Sequence, residues 1–300
     1  MNYGFFATGS AGNLILGDEN KVLTLKYSKD MKVSRRHLWI EHISREDYEN
    51  YSYYKMLIEP CGYGFVEEIY PEPITTDESP YIFATPNGQY NGGGIGAFVH
   101  KGGPGNWIGF ELIFAYDLYY TKIMNKASIV GQPTGWTYHI CQYGAEPSKD
   151  KYGMRLWNSK NELTFDSGWG IVPFRELLRN WVPESNDPTR YYNILHYWGR
   201  RQSSGDVDYV YQVGYHPWGY ENHMRGVLIS SLQAHDFVGD TGKYTVQRCI
   251  PIIGFKGRDR SRIFCSIAYG VLQHPYAAVS VMSKYQILSG DFSKAYKPPA

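Results

Sequence analysis

Short runs rich in Tyr, Val, Ile, Phe and Trp recur along the chain, and most of them are bounded by glycine or proline. These residue types suit the pleated, half-buried surface of a β-sheet, and glycine and proline favour the turns between strands. Helical periodicity is scarce, although residues 174–181 have the spacing for two helical turns. The strand-like runs are 21–26, 80–86, 107–116, 136–143, 208–215, 225–232, 244–253, 261–269 and 277–285. The sequence therefore predicts an all-β fold of the sandwich or barrel type, with little helix.

A segment near the start of the chain is similar to one that begins near its middle. Residues 3–18 and 152–167 align without a gap at an offset of 149 residues, with identical Tyr, Gly, Ser and Leu at four positions. In each segment, two apolar-rich runs flank a polar turn, which predicts a β-hairpin. We interpret the repeat as an internal duplication that gives two tandem β-domains, residues 1–149 and residues 150–300. The boundary falls in the polar, proline-containing stretch 146–150.

Charge and cysteine content argue against several classes of protein. The 300 residues include 30 Lys and Arg against 29 Asp and Glu, whereas nucleic-acid-binding proteins usually carry a basic excess. We therefore expect no nucleic-acid partner. We also expect no membrane span and no secretory signal peptide, because neither pattern occurs. The four cysteines are far apart, which argues against a zinc ribbon and predicts free, mostly buried thiols in a reducing cytoplasm.

Residues 87–106 contain eight glycines between two predicted strands. Neither a P-loop nor a dinucleotide-binding glycine pattern is present, and the residues after this stretch are strand-like rather than helical. We therefore expect a mobile hairpin loop, or a loop that a neighbouring subunit orders. Its candidate contact residues are Gly92, Gly93, Gly94, Gly96, Gly102 and Gly103.

No group of residues has the spacing of a catalytic or metal site. His216 and His223 are seven positions apart across glycine and proline, outside the helical pattern of metal-binding histidines. A glycosidase needs two carboxylates that flank a sugar bond. The carboxylates considered are Glu67, Glu68, Glu111, Asp117, Asp206 and Asp208. Since no spacing singles out a pair, we interpret them as exposed charges on strand faces. We predict no catalytic residues, no metal and no cofactor.

Clusters of tyrosine and tryptophan give the strongest indication of a contact surface. Both side chains combine a large apolar face with a polar tip, so they are enriched in protein interfaces and in sugar-stacking surfaces. Many of them will pack in the core, but a chain with 28 tyrosines and 8 tryptophans is expected to place some in contacts. The candidate interface or ligand-contact residues are Tyr116, Tyr119, Tyr120, Tyr209, Tyr211, Tyr215, Trp218 and Tyr220.

The second hairpin segment carries a resemblance to a known group. It begins Tyr152-Gly153 and ends Asp166-Ser167, and in this it resembles the start of small β-rich proteins from the tail modules of long-tailed bacteriophages. Residues 138–144 are similar to the closing strand before that motif in the same group. In the first half, glycine and aspartate at 17–18 replace Asp-Ser. The resemblance implies a virion component of the tail or its distal tip, built by duplicating one β-domain. It carries over no catalytic residues.

These observations predict a non-enzymatic structural protein of a phage tail or tail tip, assembled in the host cytoplasm. It would act as a homo-oligomer that binds other virion tail proteins through aromatic-rich interfaces. The alternative is a receptor- or carbohydrate-binding tail protein that uses Tyr and Trp surfaces to contact a host receptor or glycan. A glycoside hydrolase with an inconspicuous carboxylate pair is the third hypothesis.

Overall fold

The structure is a computed structural model that describes residues 7–8, 15–16, 21–37, 63–87, 94–115, 130–179, 210–217, 225–232, 249–255, 262–269 and 286–292. These ranges contain seventeen strands and no helix, as predicted for an all-β chain. The strands of the first half are β1 (Ala7–Thr8), β2 (Ile15–Leu16), β3 (Leu23–Lys32), β4 (Arg35–His37), β5 (Tyr63–Ile74), β6 (Tyr81–Pro86), β7 (Gly94–Gly103), β8 (Asn106–Ala115) and β9 (Pro133–Tyr143). Those of the second half are β10 (Arg155–Trp157), β11 (Leu163–Asp166), β12 (Phe174–Leu178), β13 (Val210–Pro217), β14 (Arg225–Leu228), β15 (Cys249–Phe255), β16 (Arg262–Tyr269) and β17 (Ile287–Asp291).

Two antiparallel sheets contain most of the strands. The six-stranded sheet has the order β12-β17-β14-β6-β9-β3, and the seven-stranded sheet has the order β13-β16-β15-β7-β8-β5-β4. The remaining strands form two hairpins, β1–β2 and β10–β11, as the repeat predicted. Antiparallel sheets of short strands joined by turns are the expected result of the alternating sequence pattern.

The two sheets enclose a shared apolar core. Ile82, Trp136 and Ile140 of the six-stranded sheet are fully buried in the same cluster as Phe110 and Ile253 of the seven-stranded sheet. Across the interface the ring of Phe110 meets that of Tyr138 edge to face, with 5.1 Å between centroids. The architecture is therefore a β-sandwich, whose inward side chains alternate with outward ones along each strand.

The outer face of the six-stranded sheet is also covered. Phe83 and Cys141 point away from the main core and pack with Val172 and Phe292 in a second buried cluster. Val172 lies in the segment between β11 and β12, where its N–H donates to the carbonyl of Leu23 at 3.0 Å. Strands β6 and β9 are consequently buried on both faces.

Strands from both sides of the predicted boundary share each large sheet. In the six-stranded sheet β6 pairs with β14, and in the seven-stranded sheet β7 pairs with β15. The all-β prediction is confirmed, whereas a duplication into two separate tandem domains, 1–149 and 150–300, is not confirmed. The local hairpin repeat carries no information on which strands pair at long range.

Two local predictions are wrong. Residues 174–178 form the edge strand β12, not a helix, because β17 supplies their backbone partners. The glycine-rich stretch is not a loop from Gly94 to Gly103 but strand β7, which pairs with β8 and β15. Gly102 has φ +92° at the end of this strand, where a Cβ would collide with the carbonyl of Asn106. The glycines therefore serve a tight hairpin and a crowded sheet.

Candidate functional site

Hairpin β10–β11 is held by one buried carboxylate. Asp166 accepts hydrogen bonds from the N–H and the hydroxyl of Ser148, both at 2.9 Å, and from the N–H of Gly168 at 2.8 Å. Arg155 Nε donates to the same carboxylate at 2.8 Å. Burial alone would raise the pKa of Asp166, but the bonds from Gly168, Arg155 and Ser148 outweigh it and hold that pKa well below its usual range. The chain just before the hairpin is thus tied to its second strand.

The Tyr-Gly and Asp-Ser pairs that carry the resemblance meet in this hairpin. Gly153 has φ +151°, and a Cβ there would collide with the Ser167 hydroxyl. The N–H of Met154 donates to Ser167 Oγ at 2.9 Å, and the N–H of Ser167 donates to the carbonyl of Met154 at 3.0 Å. The positive φ and the close approach of the serine together favour glycine at position 153, and two hydrogen bonds between Met154 and Ser167 close the hairpin.

One side of the hairpin packs on the sandwich. Phe165 and Trp169 are buried with Val22, next to the start of β3. The indole N–H of Trp169 donates to the carbonyl of Glu146 at 2.8 Å, and the N–H of Val22 donates to the carbonyl of Thr164 at 3.3 Å. Apolar burial and hydrogen bonds together fix the hairpin in place.

Large apolar side chains in β10 and just before it remain in solvent. Tyr152 is 92% exposed, Trp157 is 50% exposed and Met154 is 40% exposed. We call these three residues the hairpin surface. Exposed tryptophan and tyrosine on a rigid element are typical of protein contact sites, because the anchor residues lose little conformational entropy on binding.

A groove of about 720 Å³ separates the hairpin from the end of the sandwich. Its first wall is the β5–β6 loop, residues 75–79, and its second is the end of β9, with Gln142 and Tyr143. Lys21 and Glu162, which lie 4.0 Å apart, form the third wall. The volume is in the range of small-molecule sites.

A tyrosine pair forms the aromatic part of the groove. The rings of Tyr81 and Tyr143 meet edge to face with 5.4 Å between centroids, and both rings also pack against the outer apolar cluster of the six-stranded sheet. Burial, and after it the neighbouring Tyr81 and Glu78, raise the pKa of Tyr143 to about 12. Tyr143 is therefore neutral at physiological pH, and the pair presents an aromatic surface beside polar side chains.

The carboxylates considered as a glycosidase pair hold structural positions. Glu67 and Glu111 are cross-strand neighbours on β5 and β8, and Lys101 contacts both. The expectation of an exposed charge is wrong for Glu68, whose side chain is only 7% exposed. Lys29 Nζ lies 2.6 Å from Glu68 Oε2, and the Tyr138 hydroxyl donates to the same oxygen at 3.2 Å. Lys29 thus lies beside the buried charge of Glu68, and Lys101 is shared by Glu67 and Glu111. Asp117, Asp206 and Asp208 lie outside the described residues.

The structure brings few of the predicted contact residues together. Tyr211 and Tyr215 lie on β13, at the edge of the seven-stranded sheet, and their side chains are not described. Gly94, Gly96, Gly102 and Gly103 lie on β7. The others fall outside the described residues: Tyr116, Tyr119, Tyr120, Tyr209, Trp218, Tyr220, Gly92 and Gly93. The prediction missed the hairpin surface and the groove tyrosines, although Tyr152 already stood in the repeat.

Comparison with protein-family models, with curated proteins and with solved structures finds no match. Within the described ranges, no cluster of three His, Cys, Asp or Glu side chains is placed to hold a metal ion. The same ranges contain no helix of the length and hydropathy that a membrane crossing requires. The one cysteine whose side chain is described, Cys141, is a buried free thiol.

Proposed function

We propose that this chain is a non-enzymatic structural protein of a phage tail or tail tip, which acts through contacts with other protein subunits. The observation that carries the proposal is hairpin β10–β11. In it Asp166 accepts hydrogen bonds from Ser148, Ser167 Oγ accepts from the N–H of Met154, and Gly153 has a positive φ beside Ser167. These contacts fix the hairpin, while Tyr152 and Trp157 stay exposed.

The strand order of the two halves supports a duplicated unit within this proposal. Counted from the outer edge, the first half enters the six-stranded sheet as β3, β9, β6, and the second half enters it as β12, β17, β14. In each trio the outermost strand comes first in the chain. The strand nearest the centre of the sheet, β6 or β14, comes second, and the strand between these two, β9 or β17, comes last. The seven-stranded sheet repeats the correspondence apart from one additional edge strand, β4, with β5, β8, β7 matching β13, β16, β15.

The contacts between the halves resemble a subunit interface inside one chain. The central pairs β6–β14 and β7–β15 are both antiparallel, as equivalent edges are when a two-fold axis relates them. One pair of the two hairpins recurs at the same offset: Ala7↔Leu16 corresponds to Leu156↔Phe165, after which a register shift sets the second hairpin apart from the first. A chain built in this way is suited to assembly, since its basic unit already associates through sheet edges.

The test is the association state of the purified chain. We expect light scattering to show oligomers whose population rises with concentration, and Trp157→Ser to weaken association by about 30-fold, the effect of removing an interface tryptophan worth about 2 kcal/mol. The matched control is Val99→Ser, because Val99 is 58% exposed on the seven-stranded sheet, away from the hairpin.

Two results would count against the proposal. One is a chain that stays monomeric at high concentration. The other is an oligomer that Trp157→Ser and Val99→Ser affect equally. For the tail assignment itself, immunogold microscopy of particles from a lysate of the phage that encodes the chain should label the tail, and label confined to free protein would contradict it.

The alternative, a receptor- or carbohydrate-binding tail protein, is favoured by the groove with its tyrosine pair, Tyr81 and Tyr143. The groove and the hairpin surface share no residue. One molecule can therefore both assemble through the hairpin surface and bind a ligand in the groove.

A further inference from the structure

The walls of the groove are fixed by internal hydrogen bonds. In the β5–β6 loop the Thr76 hydroxyl donates to the carbonyl of Glu78 at 2.7 Å, and the Thr76 carbonyl accepts from the N–H of Gly105 and from the indole N–H of Trp107, both at 3.0 Å. Residues Ile74 and Pro80, at the two ends of the loop, are buried. The loop therefore has a defined shape before any ligand arrives, which lowers the entropy cost of binding.

The other two walls are fixed in the same manner. At the end of β9 the carbonyl of Gly144 accepts from the Thr24 hydroxyl at 2.9 Å and from the Gln142 amide at 3.3 Å. At the hairpin tip Asn158 Nδ2 donates to Glu162 Oε2 at 2.8 Å, and Asn158 Oδ1 accepts from the N–H of Glu162 at 2.9 Å. Three segments that are distant in the chain thus form one preorganised concave surface.

The lining of the groove selects for a polar ligand without negative charge. The lining includes three acidic residues, Asp77, Glu78 and Glu162, but one basic residue, Lys21. Carboxylates only accept hydrogen bonds, so they suit ligands that carry many hydroxyl or amino donors. An anionic ligand such as a phosphate or an acidic polysaccharide would be repelled.

We infer that this groove binds an oligosaccharide of neutral or amino-bearing sugars, with the Tyr81–Tyr143 pair as its aromatic platform. The rings offer an apolar face to the C–H side of a sugar, and the side chains of Asp77, Glu78 and Gln142 are partners for its hydroxyl groups. This inference does not depend on the assembly function, because the groove and the hairpin surface share no residue.

The test is a titration of the full chain with three trisaccharides, followed by saturation-transfer NMR and calorimetry. The probes are N-acetylglucosamine trimer, which is neutral, glucosamine trimer, which is cationic, and galacturonic acid trimer, which is anionic. We expect the first two to bind and the third to fail. Tyr81→Ala should weaken binding of the neutral trimer at least about 10-fold, which corresponds to about 1.4 kcal/mol. Glu78→Gln should weaken binding of the cationic trimer more than that of the neutral one.

The controls separate loss of binding from loss of folding. Glu72→Gln removes an exposed carboxylate outside the groove and should leave the binding of all three trimers unchanged. Circular dichroism reports the fold of each variant. The inference is overturned if the anionic trimer binds as well as the others, if none of the three binds at millimolar concentration, or if folded Tyr81→Ala binds like the parent chain. Each of these results leaves the light-scattering test of the assembly function unaffected.

Discussion

Acidification below neutral pH should destabilise the fold through two histidines whose pKa is lowered by burial, His100 and, more strongly, His139. The ring nitrogens of His139 contact the hydroxyls of Ser28 at 2.7 Å and Thr85 at 2.9 Å. The ring stacks on Phe292 with 4.2 Å between centroids. Burial lowers the pKa of His139 to about 3, although the charge of Asp30 opposes the effect. The histidine is therefore neutral in the folded chain.

The size of the effect is set by the difference between the folded and unfolded pKa. An unfolded histidine has a pKa of about 6.5, so between that pH and about 3 the unfolded chain binds one more proton than the folded one. The free energy of unfolding contributed by His139 is complete above pH 6.5 and is lost as the pH falls, at up to about 1.4 kcal/mol per pH unit. At pH 5 the loss is about 2 kcal/mol.

The assay is urea unfolding of the parent chain and of His139→Gln at pH 7 and pH 5, followed by tryptophan fluorescence. Glutamine retains hydrogen-bonding capacity but does not titrate. Other ionisable groups contribute equally to both proteins, so we expect the parent chain to lose about 2 kcal/mol more than the variant between the two pH values. An equal loss in both proteins would refute the reasoning.

Phe292, a residue of the second half, helps to bury His139 of the first half. Phe292→Ala should therefore hydrate the histidine ring and raise the pKa of His139 towards about 6.5, which an NMR titration measures.

Two further predictions concern the hairpin and the relation between the halves. Gly153→Ala should lower the free energy of unfolding by about 1–3 kcal/mol, because it combines an unfavourable φ with a clash against Ser167 Oγ. In urea unfolding, the double variant with Ser167→Ala should recover part of this loss. If Gly153→Ala leaves the free energy of unfolding unchanged, the close approach of the two residues is contradicted. The chain is exposed at Ala145, so a protease site can be inserted after this residue. After cleavage the two fragments should co-elute in gel filtration, because both sheets contain strands of both halves. Separation of the fragments without denaturant would contradict the shared core.

The central strands could be predicted because alternation and burial agree along them. Strands β6 and β9 match the runs 80–86 and 136–143 closely, since each has apolar or aromatic residues on both faces, and both faces are covered. Strand β5 was missed because Glu67, Glu68, Pro71 and Pro73 break the apolar pattern. The structure accommodates this stretch through a register shift between Ile69 and Ile74, where proline needs no ladder partner.

The candidate site was less accessible to sequence reasoning than the fold. The groove combines residues near positions 21, 75–81, 142–143 and 162, and no local periodicity connects segments so far apart. The local density of aromatic residues favours clusters such as Tyr116 to Tyr120 as contact sites. The groove instead depends on Tyr81 and Tyr143, which are distant in the chain and meet because β6 pairs with β9. The exposed hairpin was within reach, because glycine at position 153 and serine at 167 already indicated a special backbone geometry.

The interleaving of the two halves has a physical explanation in the edges of their sheets. Taken alone, the first half would end its sheets at β6 and β7, and the second half would end its sheets at β14 and β15. Unpaired edges of apolar strands are prone to uncontrolled association. The pairings β6–β14 and β7–β15 remove four such edges at once and merge two small cores into one. Similarity at an offset of 149 residues predicts that the halves share local hairpins. The partner of each sheet edge, however, depends on which strands are left unpaired once both halves have folded, and local similarity does not contain that information.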